Sequence, residues 1–490
     1  MHKKIYIDLH CHPTIKPFGR SFEAQLAHSA DPKLKNSIWF RDRPNFIEKL
    51  INWTTSLTKF TQSDYTTLQK GNCKIICVSL YPLERGFFDI AKLNLGTGNI
   101  SDALTNLVLG VSKKRIDFVQ KNKNYFLDLD KEYRFLLARN NQSVKIQDKT
   151  YRYKLVSNFQ EIQEGFLEDT IYNILSIEGA HVFNCGYDPI NDPAAQRKEE
   201  VLENVRLVKN WEFPPFFITL AHHFYNELCG HEETFTGIVK TAIGPNQKPG
   251  LGEGITPLGY EVIRALLDSG TGKRILIDLK HMSIRARREY YDLLKTEDFI
   301  NQDIPLIVSH GAVAGQTDEK SGTSLGIPGA DRKFLPEPIN FFDFELIKIQ
   351  QSGGVFGLQL DERRIATKAA IRKTRQLRLN KQKIAYHWSL LVWYQIQHIA
   401  EVLDRAGLLA WNITTLGSDF DGIIDPLSAF WNAETYPDLE QNLLIHAKEY
   451  LKKPNLRENF NKISAEEIIH QVMYGNAANF LEKYFQQTGV

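Results

Sequence analysis

Short apolar, β-branched runs recur along the chain, each ending in polar residues and followed by a longer stretch. Eight of them have the composition of buried parallel strands. They are "KIYIDLH" (4–10), "KIICVSLY" (74–81), "YNILSIE" (172–178), "FFITLAH" (216–222), "RILIDLKH" (274–281), "PLIVSH" (305–310), "GGVFGLQL" (353–360) and "ITTLGSD" (413–419). The intervening stretches carry helical periodicity. "TPLGYEVIRALLDSG" places Leu258, Val262, Ile263, Leu266 and Leu267 on one stripe. Thr256 can cap its start, Pro257 suits the first helical position, and Gly270 marks the end. "SIRARREYYDLLK" and "FDFELIKIQQSGG" repeat the pattern. Strands alternating with helices predict an α/β fold, either a (β/α)8 TIM-type barrel or a doubly wound open sheet.

The positions of the polar residues choose between the two. The first run ends in His10 and His12, the third in Glu178, the fourth in His222, the fifth in His281, the sixth in His310 and the last in Asp419. In a barrel the C-terminal strand ends share one mouth, so residues far apart in sequence converge. In an open sheet the first, fifth and eighth strands could not reach one point. The pattern therefore predicts a single barrel over residues 1–490, with one site. Segments 82–165, 223–255 and 311–340 exceed simple connections and are expected as insertions on the catalytic face.

Composition narrows the class. With 42% hydrophobic and 24% charged residues, the 490-residue chain reads as globular, and a net charge of +2 selects neither nucleic acid nor membrane. The five scattered cysteines (Cys11, Cys73, Cys77, Cys185, Cys229) read as free thiols in a reducing compartment. No secretory leader, membrane span or lipid-anchor tail is recognisable, so a cytoplasmic location is expected.

Two histidines at i and i+2 of a strand point to one side, which suits two ligands of one metal. Alone, "HCH" is weak; four more ligand-type residues at other strand ends strengthen it. Imidazole and carboxylate donors without cysteine suit zinc, with manganese, iron or cobalt as alternatives. Glu178 has two oxygens and can bridge two cations, and Gly179 lets backbone approach closely. His281 and His310, one βα unit apart, are a plausible second metal pair. Asp419 is either a buried cap or a proton acceptor beside the metals. His181 is either a loop histidine or a support behind the site.

The set "IDLHCHP", "SIEGAH", "ITLAHH", "GITPLGYEVIRALLDSG", "LIDLKHMS", "LIVSHGA", "LGSDFDG" and "YPDL" resembles, in order and spacing, the membrane (renal-type) dipeptidases of the amidohydrolase superfamily. "MYGNAANFLEKYF" looks like that family's terminal helix. The resemblance implies a hydrolase with two divalent cations, zinc first among them, acting on a dipeptide-like or other small-molecule substrate. It gives His10 and His12 to one ion, His281 and His310 to the other, and Glu178 to both. A bridging hydroxide would attack, Asp419 would handle its proton, and His222 would contact the substrate near the scissile carbonyl. His223, by strand alternation, is expected to face away.

Two departures bear on substrate. The family has HxD where this chain has His12, which keeps a ligand but removes a negative charge. The family's carboxylate-binding arginine corresponds here to Ile339 in "INFFD", with Arg332 the nearby candidate to replace it. The alternatives are therefore an amidohydrolase acting on a non-dipeptide amide, an N-acyl amino acid, an ester or a lactone, and a barrel that binds without catalysis. Nine basic residues between Arg363 and Lys383, among them Arg372, Lys373, Arg375 and Arg378, read as a solvated surface, with an anionic substrate or subunit contact as the minor reading. The aromatics of "YHWSLLVWYQIQHIAEVL" suit core or a homodimer interface, and His398 among them reads as structural.

Overall fold

The computed structural model describes residues 4–20, 28–45, 48–49, 52, 58, 60–87, 110–235, 246–376 and 380–486. All eight expected strands form. They are β1 (Tyr6–Cys11), β2 (Cys73–Leu80), β5 (Thr170–Glu178), β6 (Phe217–Thr219), β7 (Leu276–Asp278), β8 (Ile307–Gly311), β9 (Val355–Leu358) and β10 (Thr414–Leu416). A short hairpin between β2 and β5 supplies β3 (Val144–Ile146) and β4 (Lys149–Leu155). The eight pair in parallel in the order β1-β2-β5-β6-β7-β8-β9-β10. Closure of β10 onto β1 comes through a parallel bridge of Cys11 to Phe420, with Asp419 N donating to His10 O and His12 N to Phe420 O, both at 2.9 Å. The result is a (β/α)8 barrel, and the open-sheet alternative is excluded by that seam.

The strands are buried along their whole length, which is why they read as continuous apolar runs. The helix Pro257–Leu267 turns Val262, Ile263, Leu266 and Leu267 inward, and the Thr256 hydroxyl accepts from Gly259 N at 3.0 Å. It stops three residues before Gly270 because the Asp268 carboxylate accepts from Gly270 N and the Thr271 hydroxyl, folding the chain into a turn. The helix Lys381–Arg405 buries Trp388, Trp393 and His398 in the core, while Tyr386 and Tyr394 are only partly buried. His398 Nε2 lies 2.8 Å from Asp343 Oδ1, as a structural histidine should.

The segment 82–165 holds the helices Lys113–Lys121 and Tyr125–Leu137 and the β3–β4 hairpin, whose second strand runs parallel beside the start of β5. This hairpin is legible only as a polar stretch, because β4 buries just Tyr153 and Leu155. Parts of the expected insertions (88–109 and 236–245) and Arg378 lie outside the described residues. All five cysteines are buried free thiols. Among the described residues no helix is long and apolar enough to cross a membrane.

Candidate metal centre

Two buried aspartates set up the mouth of the barrel, Asp8 two residues before His10 and Asp278 three residues before His281. Asp8 accepts from Ser418 N (2.9 Å), Ser418 Oγ (2.6 Å) and the Tyr436 hydroxyl (2.5 Å), which pins the loop carrying Asp419 to β1. Asp278, on β7, accepts from Ser309 N (2.9 Å), Ser309 Oγ (2.5 Å) and Thr219 Oγ1 (2.8 Å), which ties the Ser309–His310 step of β8 to β7 and β6. The same Asp–Leu–X–Ser-next-door device thus fixes both sides of the site. His281 and Asp419 both take left-handed backbone, with φ of 66° and 61°. Non-glycine residues hold that conformation only where the surroundings enforce it.

Seven side chains converge there. His10 Nε2 and His12 Nε2 are 3.1 Å apart, and His281 Nε2 and His310 Nε2 are 3.3 Å apart. Glu178 lies between the pairs: Oε2 is 3.0 Å from His12 Nε2, and Oε1 is 3.5 Å from the Nε2 atoms of His10, His281 and His310. Asp419 Oδ1 is 3.5 Å from His12 Nε2 and Oδ2 is 3.9 Å from His310 Nε2. His222 Nε2 stands 3.4 Å from Glu178 Oε1. Except for His222, these residues fall into two donor groups, His10–His12–Glu178–Asp419 and Glu178–His281–His310, with the donor atoms of each within 4.8 Å of one another.

The donor set fits a metal on three counts. Nitrogens bound tetrahedrally to one zinc at about 2.0–2.1 Å are roughly 3.3 Å apart, close to both histidine pairs. The outer nitrogens fix the tautomers. His12 Nδ1 is 3.1 Å from the Ser79 carbonyl, to which it can only donate, so Nε2 presents its lone pair. The Ser309 hydroxyl spends its proton on Asp278 and so accepts from His310 Nδ1 at 2.9 Å, which again leaves Nε2 bare toward the cluster. Finally, Asp419 Oδ1 is buried without a hydrogen-bond partner among the described residues.

The electrostatics are those of a site that competes for cations. Against the opposing pull of burial, Glu178 drives the His12 imidazole up to about 10 and, with Glu84, that of His222 up to about 9. Burial alone would raise Glu178, yet His222, His10 and His12 hold it well below the carboxylate range. Burial pushes His281 and His310 well down, into their neutral ligand form. Two glycines permit the crowding. A Cβ on Gly179, at φ +92°, would lie 2.4 Å from His181 Nδ1, and one on Gly422 would lie 1.9 Å from Asp419 Oδ1.

Several groups escaped sequence reading. Glu84, in "YPLE" just past β2, sits 2.6 Å from His222 Nδ1 and also accepts from Phe224 N and the Tyr81 hydroxyl. It therefore orients His222 with Nε2 toward Glu178. His223 does not face away: its ring centroid is 3.7 Å from that of His222, and the two form a third donor group with His281. Strand alternation failed because β6 ends at Thr219, so residues 222 and 223 belong to a loop. Lys280 is buried beside His281, with Nζ 3.4 Å from Gln359 Oε1, while Gln359 Nε2 donates to Asp419 Oδ2 at 2.8 Å. Burial, then Arg364, pushes that ammonium down to about 7.

Arg332 does not join the cluster. It lies exposed on the short helix Ala330–Lys333, with its guanidinium folded back over Gly329. His181 also stays outside; its Nε2 is 2.8 Å from the Pro82 carbonyl, next to the chain segment that carries Glu84. Cys11, buried in the core, is in neither donor group.

No family model and no curated protein matches this chain. Comparison with solved structures finds the metallopeptidase described as dipeptidase AC (15% identity, 89% of this chain and 94% of that one, TM-score 0.47). It also finds a metallopeptidase from Rhodobacter sphaeroides crystallised with a phosphinate mimic of the dipeptide L-Ala-D-Ala (15% identity, 98% and 99%, TM-score 0.47). A third is the probable dipeptidase PvdM from Pseudomonas aeruginosa (12% identity, 88% and 90%, TM-score 0.46).

Proposed function

We propose that this protein is a metal-dependent hydrolase of a peptide-type amide bond, working with two divalent cations, zinc first among them. The observation that carries the reading is the pair of donor groups that share Glu178. His10 and His12, with Asp419 alongside, would hold one cation; His281 and His310 the other; Glu178 both. Bound there, the cations supply a Lewis acid and bring the pKa of water toward neutrality.

The chain's own residues account for the rest. Asp419 has one oxygen fixed by Gln359 and the other facing the histidines without a hydrogen bond among the described residues, so it can accept a proton from the attacking water and return it to the leaving amine. His222, with Nδ1 held by Glu84 and Nε2 turned toward Glu178, would offer an Nε2–H to the oxygen that becomes anionic as the carbonyl is attacked. Closure of β10 onto β1 buries all seven side chains and keeps bulk water from screening these charges.

Metal analysis of the purified protein should give close to two ions per chain. Zero ions after chelator-free purification, with no uptake of added zinc, would sink the two-cation reading. Hydrolysis of a panel of L,L- and L,D-dipeptides, N-acyl amino acids, esters and lactones separates the dipeptidase reading from the wider amidohydrolase one, and turnover of none leaves only a binding barrel.

A further inference from the structure

The four histidines of the Glu178 groups are buried, as is His222, so a cation cannot reach their nitrogens without passing other side chains. His223, beside them, is only half-buried. Consecutive residues of an extended chain project to opposite sides, yet His222 and His223 turn the same way. Their ring centroids lie 3.7 Å apart, and they stand 4.6 and 5.4 Å from that of His281. The three offer ligand nitrogens within 4.8 Å of one another.

Contacts outside this group hold His223 in place. Gln247 Nε2 donates to the His223 carbonyl at 2.6 Å and to the Thr234 hydroxyl at 2.7 Å, while Gln247 Oε1 accepts from Thr234 N and Phe235 N. The same hydroxyl lies 2.9 Å from His223 Nδ1. The rings of Phe87 and Phe235 pack against the imidazole, with centroids 5.3 and 4.8 Å away. Thr234 engages Nδ1 of His223 and Glu84 engages Nδ1 of His222, so each ring keeps Nε2 for a ligand.

His281 belongs to this group and to the Glu178–His281–His310 group. Its Nε2 is 3.3 Å from His310 Nε2 and 3.5 Å from Glu178 Oε1. The outer group has three imidazoles and no carboxylate; the inner one adds the charge of Glu178. A dication is therefore drawn from the outer group to the inner.

We propose that His222, His223 and His281 are the port through which cations reach the metal centre: His223 meets the ion from solvent, and His281, common to both groups, passes it inward. Imidazole nitrogen suits zinc, copper and nickel better than magnesium or calcium, so the port also filters what is loaded. It presupposes the two-cation reading and sets how that centre is filled.

The test follows two time courses: zinc uptake by the metal-free protein, read with a zinc-sensitive dye, and zinc release from loaded protein to a chelator. Entry and exit share one path, so damage to a port slows both by the same factor and leaves the equilibrium content alone. His223→Asn keeps an amide within reach of Thr234 and removes Nε2. It should slow uptake and release alike by about tenfold or more, the scale on which losing one contact weakens metal binding, while the loaded protein keeps close to two ions. His223→Glu restores a zinc donor and should bring both rates to within about threefold of wild type. Unchanged rates in His223→Asn, or a fall in metal content with uptake unchanged, overturns the port and leaves the metal centre standing. No uptake by wild type overturns both. Should His223→Asn not fold, His223→Ser is read by the same criteria.

Discussion

Glu178→Gln is the most discriminating change available, because Glu178 is the residue shared by the His10–His12–Glu178–Asp419 and Glu178–His281–His310 groups. The substitution keeps the shape and removes one negative charge. That charge sits 3.0 Å from His12 Nε2, 3.4 Å from His222 Nε2 and 3.5 Å from those of His10, His281 and His310. At an effective dielectric of about 20, a unit charge about 3.5 Å away is worth roughly 5 kcal/mol, and a dication about twice that. If relaxation returns half, each ion still loses about 10³-fold in affinity. Gel-filtered protein analysed for metal should therefore fall from close to two ions to near zero in Glu178→Gln. His10→Ala and His281→Ala should each retain about one. A second readout needs no metal: without Glu178, the imidazole of His12 should drop from about 10, and that of His222 from about 9, toward the ordinary histidine range, followed by NMR titration of the metal-free protein. A variant that keeps both ions against a chelator, or loses only one, would refute the bridging geometry.

Other consequences are open to measurement. Asp419→Asn should keep metal content within about tenfold while lowering kcat by about 10³-fold or more, and unchanged turnover would remove Asp419 from proton transfer. Burial pushes His28 down to about 4 against a reference near 6.5, its Nε2 lying 3.0 Å from the Tyr153 hydroxyl. Its folded pKa is depressed and it is a base, so the unfolded chain binds more protons between these values: stability is unaffected above about pH 6.5 and falls by up to ~3 kcal/mol on acidification to pH 4. Denaturant midpoints across that range should fall more steeply with acidification in wild type than in His28→Gln, and parallel curves would remove His28 as the source. Asp421 accepts from Lys16 Nζ, Gln62 N, Ser63 N and Ser63 Oγ, so Asp421→Asn strands a buried ammonium and should cost about 3–5 kcal/mol in denaturant unfolding. A loss below about 1 kcal/mol would show that the pair contributes little.

The chain's pattern alone located the eight barrel strands and the seven polar side chains that converge at their mouth, because a buried parallel strand is written as an apolar run and its mouth end as the first polar residues after it. His10, His281 and Asp419 could be assigned to one site before any coordinates because only a closed barrel brings first, fifth and eighth strand ends together. What the pattern could not carry was everything set by contacts between loops. Glu84 and His223 are in reach of His222 because the chain leaves strand geometry after Leu80 and Thr219, where period-two alternation no longer says which way a side chain points. Arg332 and Arg364 are alike as letters; one is exposed beside Gly329, and the other is buried against Thr234 with a bare nitrogen. Which of two arginines is desolvated is decided by packing between segments more than a hundred residues apart in sequence, and that is information only the tertiary structure holds.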